Sequence, residues 1–164
     1  MAARPLTAGE WSELSPGLAA AFAARDVRPQ IEDRAHFAAH LARWRFRSVP
    51  ILVLGKTIWW PKARADFSGT RHMGVLQHEL QHVLDFAEGR LTALGYLTRP
   101  SNWTYRWKLG EHLDWRRLGA EQRASVAEAL WQAERSGDDQ AAEILRSVIP
   151  WARTQMGVRH GKSA

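Results

Sequence analysis

The feature that most constrains the fold is a helical period from about Thr70 to Ala87, which stops just before Gly89. On a helical projection, apolar residues cover one broad face and polar residues are left with a narrow strip. A helix of this kind lies in the core, and glycine just beyond the last periodic residue is a common helix end. The sequence therefore predicts a long buried helix in the middle of the chain.

Short apolar runs precede this helix and predict a small sheet. Residues 49–54 and 57–60 are rich in β-branched, aliphatic and aromatic side chains and flank the pair Gly55-Lys56. This pattern predicts two strands joined by a tight turn, or one kinked hairpin. If Trp59 and Trp60 lie on an edge strand beside a site, that strand could pair with an extended peptide. The alternative is a strand packed inside the sheet.

The remaining segments are mostly helical by pattern. We predict an irregular helix over 1–27, with a break at Pro16-Gly17, and loops with one or two helices over 90–120. We predict clearer helices over 30–46, over 118–136 and from Asp138 or Asp139 to about Val148. These elements predict an α+β fold, mostly helical, with a short sheet packed on the central helix. Because there is no repeat or linker, we expect one domain over 1–156 and a disordered tail over 157–164.

Composition limits both the chemistry and the location of the protein. The chain has no cysteine, so disulfides and thiolate metal sites are excluded, and any metal must sit on His, Asp or Glu. The formal net charge is +6 at pH 7, but the positive charges are scattered, and we do not expect specific nucleic-acid binding. No apolar run could span a membrane, and Glu10, Glu13 and Pro16 interrupt any signal-peptide core. We expect a cytoplasmic protein, which could still be exported by a route without a cleaved signal.

The central helix carries a motif with a specific chemistry, because residues 78–82 read His-Glu-Leu-Gln-His. Histidines four residues apart lie one above the other on a helix, about 6 Å apart at Cβ, so both rings can reach one zinc ion. Glu79 follows the first histidine and can take the proton of a zinc-bound water and pass it to a leaving amine. The motif predicts a hydrolytic zinc site on His78 and His82. The alternative is an ordinary amphipathic helix with two partly exposed histidines.

A catalytic zinc site needs a third protein ligand. The best candidate is Glu121, which begins the helix predicted over 118–136. Alternatively, Glu121 is a first-turn glutamate that complements the helix dipole. Glu111 and His112 are the rival third ligands, and Glu128 or Asp114 could orient a histidine through its second ring nitrogen.

Another histidine pair has the same spacing. His36 and His40 are four residues apart on a predicted helix, but no glutamate follows His36 in the position of a base. We therefore interpret both as surface residues.

Four stretches of the chain resemble a known family. They are Gly55-Lys-Thr-Ile-Trp-Trp-Pro61, Asp66-Phe67, Leu76-Gln-His-Glu-Leu-Gln-His82 and Glu121-Gln-Arg-Ala124. Together they resemble the Vgr-related metallopeptidases, compact proteins that belong with the gluzincin-like HExxH zincins. The resemblance spans residues 6–130 or so. It implies a minimal zincin fold, zinc on His78, His82 and Glu121, Glu79 as general base, and a link to type VI secretion or polymorphic-toxin systems.

The chain departs from that family in two places. Many gluzincins carry an aspartate one turn after the ligand glutamate, whereas this chain has Ser125 there. No motif fixes the residue that stabilises the oxyanion, and Tyr105 and His112 are the candidates.

These observations predict a zinc-dependent hydrolase that cleaves a peptide or protein substrate. Two alternatives remain. One is a binding or adaptor module that keeps the zincin scaffold without catalysis and acts through its basic, Trp-rich surface on a secretion-system or toxin component or on nucleic acid. The other is a zinc amidase that acts on a non-protein amide, because zinc-assisted attack by water serves any amide.

Overall fold

The structure, a computed structural model, describes residues 3–37, 39, 49–109 and 113–153. Its helices in this part of the chain are α1 (Ala8–Glu13), α2 (Pro16–Ala24), α3 (His72–Ala87), α4 (Ala93–Thr98), a 3-10 helix (Pro100–Trp103), α5 (Ala120–Ser136) and α6 (Asp139–Val148). Its strands are β1 (Arg4–Pro5), β2 (Gln30–Glu32), β3 (Leu52–Leu54) and β4 (Thr57–Trp59). The predicted α+β class, mostly helical with a short sheet, is confirmed.

The four strands form one mixed sheet in the order β1-β2-β4-β3. Strand β4 pairs antiparallel with β3, and Leu54 lies opposite Thr57 across the turn. Gly55 has a φ of +59°, which a glycine at the first central position of a two-residue hairpin turn adopts without strain. The predicted tight hairpin is therefore confirmed.

The helix predicted over 30–46 is wrong at its start. Residues 30–32 form β2, which pairs parallel with β4 and buries Ile31 in the core. Ile31 has the spacing of a helix relative to the later apolar residues, but one residue is weak evidence for a helix. Pairing with a distant strand determines the conformation of this segment instead. Residues 40–46 of that prediction, including His40, lie outside the described residues.

The position of β2 also makes β4, the strand that contains Trp59, an internal strand of the sheet. Because β2 and β3 flank β4, Trp59 lies in an internal strand. The edge interpretation of Trp59 and Trp60 is therefore wrong, and the alternative of a strand packed inside the sheet is confirmed.

The central helix α3 contacts β3 and β4 on one side and packs along α5 on another. Met73, Leu76, Leu80 and Leu84 of α3 are completely buried. A Cβ on Gly74 would lie 3.3 Å from Glu128 Oε1 and 3.3 Å from the Trp131 ring, so a side chain there would crowd α5. The two helices are close enough for their polar side chains to meet between them.

The predicted helix ends agree with the structure. Gly89 and Gly137 have φ values of +69° and +75°, and Gly137 ends α5 in the left-handed conformation. The Asp138 side chain accepts a hydrogen bond from Ala141 N at 3.0 Å and so caps α6. Helices α1 and α2 lie in the region predicted as irregular helix, with Pro16 opening α2.

A buried carboxylate fixes the N-terminal segment against the loop before α3. Glu10 is fully buried and accepts two hydrogen bonds from the Arg4 guanidinium, at 2.9 and 2.7 Å. It also accepts from Phe67 N at 3.0 Å. These charge-assisted bonds hold the start of the chain to the approach of α3.

None of the helices in the described part of the chain combines the length and apolarity needed to cross a bilayer. The tail predicted over 157–164 lies outside the described residues.

Candidate metal centre

The two histidines of the motif project from α3 into the space between α3 and α5. Their rings are 5.1 Å apart between centroids and nearly perpendicular. His78 is 8% exposed and His82 is 6% exposed, so both rings are largely withdrawn from water. The alternative of two partly exposed histidines on an ordinary helix is therefore wrong.

Glu121 meets both rings from the first turn of α5. Its Oε2 lies 3.1 Å from His78 Nε2, and its Oε1 lies 3.5 Å from His82 Nε2. One ligand atom from each of the three residues lies within 4.8 Å of the others, and all three residues are buried. A first-turn glutamate at the surface would only complement the helix dipole, but this carboxylate turns inward to the imidazoles. The structure thus brings the three predicted ligands together.

The second ring nitrogens of the two histidines have different surroundings. His78 Nδ1 lies 3.4 Å from Glu128 Oε2, and Glu128 Oε1 accepts a hydrogen bond from Gln132 Nε2 at 3.1 Å. His82 Nδ1 is buried without a hydrogen-bond partner in the described part of the chain. Asp114 instead pairs with Arg117 at 3.5 Å, so Glu128 is the acidic residue that contacts a ring.

Charge is concentrated in this cluster. Burial alone would lower the pKa of His78, but hydrogen bonds to Glu121 and Glu128 and nearby negative charges raise it to about 10. Burial alone would raise the pKa of Glu121, but hydrogen bonds from His78 and His82 hold it well below its usual range. The cluster therefore attracts positive charge, which a proton on His78 supplies when no metal is bound.

The donor set fits a zinc ion. Two imidazole nitrogens and one carboxylate oxygen converge, three donor atoms of two types that zinc prefers. Both rings turn Nε2 toward Glu121, so each would coordinate as neutral imidazole and carry its proton on Nδ1. For His78 that proton would point at Glu128.

Glu79 lies beside the cluster and is half-buried. Burial raises its pKa, and the negative charges of Glu121 and Glu128 add to that rise, while the charges of His82 and His78 oppose it. A carboxylate with a raised pKa is a better proton acceptor near neutral pH than an exposed glutamate.

The chain has two tyrosines, and both lie at this site. Tyr105, a predicted candidate, stacks against His78 with ring centroids 6.1 Å apart and is 58% exposed. The Tyr96 hydroxyl donates a hydrogen bond to Glu121 Oε1 at 2.6 Å, and its ring contacts His82 at 6.4 Å. Burial, together with the charge of Glu121, raises the pKa of both phenols, so both stay protonated and can donate.

Sequence reasoning missed Tyr96. Its only signal in the sequence is that the chain has just two tyrosines, and that Tyr96 follows the motif helix after a short loop. Two other predicted residues, Glu111 and His112, lie outside the described residues, so their roles stay predictions.

A hydrogen-bonded loop holds the tyrosines against α5. Asn102 Oδ1 accepts from Ala120 N at 3.2 Å, and Asn102 Nδ2 donates to Gly95 O at 3.0 Å. A Cβ on Gly119 would lie 1.9 Å from Ser101 O, so only glycine allows this approach. The start of α5, which carries Glu121, and the start of α4, which carries Tyr96, are thereby tied together.

His36 takes no part in the cluster. Its ring lies 4.9 Å from the Trp59 ring and 4.4 Å from the Phe37 ring. Its predicted partner His40 cannot be compared, since it is outside the described residues.

A second polar cluster lies between the same two helices. Arg123 Nε donates to Asp85 Oδ2 at 2.9 Å, and Gln81 Nε2 donates to Asp85 Oδ1 at 2.9 Å. Trp151 Nε1 donates to Gln81 Oε1 at 2.9 Å, and Arg123 also donates to Leu118 O. We call these residues, Gln81, Asp85, Arg123 and Trp151, the closed cluster, and His78, His82 and Glu121 the open cluster.

Comparison of the chain with protein-family models, with curated proteins and with solved structures finds no match.

Proposed function

We propose that the protein is a zinc-dependent hydrolase that cleaves peptide bonds, with His78, His82 and Glu121 as the metal ligands. The observation that carries the proposal is the convergence of two imidazole nitrogens and one carboxylate oxygen in a buried place beside Glu79. The small sheet, the motif helix α3 and the helix α5 that supplies the glutamate are the parts expected of a minimal zincin. We include that architecture in the proposal.

A zinc ion held by these ligands would supply a Lewis acid that polarises an amide carbonyl and makes water acidic enough to react near neutral pH. Glu79 would accept the proton from the attacking water and deliver it to the leaving nitrogen. Its raised pKa suits both steps, because the group must hold the proton briefly before donating it.

The two tyrosines would have separate tasks. Tyr105 is exposed, faces His78 and keeps its proton, so its hydroxyl can donate to the negative charge that develops on the carbonyl oxygen. Tyr96 already donates to Glu121 and would orient that ligand. His112, the other predicted donor, stays a prediction.

The proposal is tested with a Glu79→Gln variant, which keeps the shape of the side chain and removes the base. We expect wild type and variant to hold about one zinc ion per chain, and the variant to lose about 10²–10⁴-fold in peptide hydrolysis. Zinc is measured by elemental analysis and hydrolysis with a peptide library. Glu143→Gln, an exposed glutamate on α6, is the matched control and should keep full activity.

Two results would contradict the proposal. Hydrolysis by the Glu79→Gln protein at the wild-type rate would remove Glu79 from the mechanism. Purified protein that takes up no zinc would favour the adaptor alternative, in which the scaffold binds a partner without catalysis. A link to a secretion system or toxin rests on the family resemblance alone.

A further inference from the structure

The segment from residue 92 to residue 109, which we call the flanking segment, has an unusual charge pattern. It contains Arg99, Arg106 and Lys108 and no acidic residue. The preceding cation, Arg90, lies outside this segment and pairs with Glu88 at 2.6 Å. The two arginines of the flanking segment, Arg99 and Arg106, are exposed.

The flanking segment forms one wall of the open cluster. Tyr96 donates to Glu121, and Tyr105 stacks on His78. Gln122, the residue after the ligand glutamate, donates through Nε2 to Arg106 O at 2.5 Å. The backbone of Arg106 is therefore fixed to the first turn of α5, immediately beside the cluster.

Exposed apolar side chains are also concentrated there. Five large apolar side chains are exposed in the described part of the chain, and the flanking segment holds four of them: Leu94, Trp103, Tyr105 and Leu109. Exposed apolar groups gathered in one place mark binding surfaces more often than scattered ones do. The segment beside the open cluster therefore combines exposed apolar side chains with two exposed arginines.

We propose that the flanking segment recognises the substrate of the hydrolase proposed above, and that it selects peptides in which acidic side chains flank an apolar residue near the scissile bond. The inference rests on the proposed function. Aromatic rings would cover the apolar residue, and the cations would attract the carboxylates over the Debye length of about 8–10 Å.

A peptide fits this wall better than a nucleic acid does. Cations and aromatic rings can also hold single-stranded nucleic acid. A phosphate backbone, however, brings closely spaced negative charges, and the half-buried carboxylates of Glu79 and Glu128 lie within the site. A peptide can place its acidic side chains on the flanking segment and leave the neutral amide beside these two carboxylates.

The test measures binding separately from cleavage. Zinc-loaded Glu79→Gln protein is titrated, by fluorescence anisotropy, into three labelled peptides that share an apolar centre and carry flanking Glu, Gln or Lys. A short oligothymidylate is the fourth ligand. At low salt we expect the Glu peptide to bind at least about tenfold more tightly than the Gln peptide and the Lys peptide to bind most weakly, with the difference shrinking at high salt.

Charge reversal locates the effect. R99E/R106E should reduce the preference for the Glu peptide to less than about twofold by removing the local attraction. R28E/K56E makes the same change in net charge at exposed residues that line a groove with Phe86 near the end of α3, and it should keep the preference. R99Q/R106Q is a milder variant and should give an intermediate loss. Circular dichroism checks that each variant is folded.

Three results would overturn the inference: equal binding of the three peptides, equal loss in both charge-reversed pairs, or tightest binding of the oligothymidylate. Wild-type protein is assayed in parallel for cleavage. Cleavage of all three peptides at the same rate would refute the acidic preference and leave the hydrolase intact. Discrimination between peptides that wild type never cleaves would refute the hydrolase and leave acidic-peptide recognition intact.

Discussion

The open and closed clusters lie between the same two helices and satisfy their polar groups in different ways. In the closed cluster, donors and acceptors match: Arg123 and Gln81 donate to Asp85, and Trp151 donates to Gln81. In the open cluster, two imidazole nitrogens face one carboxylate, and a neutral imidazole carries a hydrogen on only one of its two ring nitrogens. The closed cluster is complete within the protein, whereas the open cluster leaves His82 Nδ1 without a hydrogen-bond partner in the described part of the chain.

The difference shows how one helix pair can be both rigid and able to bind. Asp85 lies two turns after His78 on α3, and Arg123 lies two residues after Glu121 on α5. The closed cluster therefore fixes the register of α5 that delivers Glu121 to the histidines. The predictions below perturb one cluster at a time.

The largest effect is expected in the closed cluster. Arg123→Met leaves Asp85 buried without its cationic partner, which should lower the free energy of unfolding by about 3–5 kcal/mol. Urea unfolding measures this change. Arg117→Met removes an exposed ion pair and should cost less than about 1 kcal/mol. Equal losses in the two variants would show that the closed cluster does not fix the helices.

Glu128→Gln tests the support of the open cluster. Glutamine keeps the size of the side chain but weakens the hold on His78 Nδ1, so zinc affinity should fall by about 10–100-fold. Competition with a chelating dye measures the affinity, and zinc-free stability should change much less. Glu143→Gln serves again as control, and an affinity within about twofold of wild type would exclude Glu128 from positioning His78.

Tyr96→Phe removes the hydroxyl that donates to Glu121. Hydrogen bonds to charged groups contribute about 1.5–3 kcal/mol, and Glu121 keeps its histidine contacts, so we expect a loss near 1.5 kcal/mol in zinc-free protein. Tyr105→Phe, at a more exposed ring, should change stability by less than about 0.5 kcal/mol but reduce hydrolysis. If the two variants lose the same stability, the assignment of separate tasks is wrong.

The open cluster should also make the stability of the protein depend on pH. The pKa of His78 is raised from 6.5 to about 10, so its contribution to zinc-free stability is complete below pH 6.5 and is lost as pH rises toward 10. Zinc must displace this proton, so zinc affinity should rise by up to about tenfold per pH unit over the same range. Urea unfolding of zinc-free wild type and His78→Gln at pH 6.5 and 9 tests the first claim. Stability that is unchanged or higher at pH 9, relative to the variant, would contradict it.

Local spacing made part of this site predictable. The histidines four residues apart and the glutamate at a helix start depend on helix geometry, which the sequence encodes within a few residues. Glu128 and Asp114 were equal candidates until packing placed only Glu128 against His78. The packing of α3 against α5 could only be expected from the sequence, because it depends on tertiary contacts that the sequence does not reveal.

The parts that could not be predicted depend on distant contacts. Strand β2 exists because Gln30–Glu32 pairs with β4, and three residues carry too little periodicity to reveal this. Tyr96 reaches Glu121 because an irregular loop folds back onto the start of α5, which no periodic pattern records. The strand order of the sheet could not be predicted either, because it depends on β2. The internal position of Trp59 depends on β2 for the same reason.

The missing side chain of Gly74 limits what this position can accept. The Cβ of an alanine here would lie 3.3 Å from Glu128 Oε1 and 3.3 Å from the Trp131 ring, so these side chains would have to give by a few tenths of an ångström. Because Glu128 also contacts His78 Nδ1, such a shift would reach a metal ligand through the carboxylate that supports it. A residue that donates no electron pair can therefore act on the donor set through the space it leaves for its neighbours.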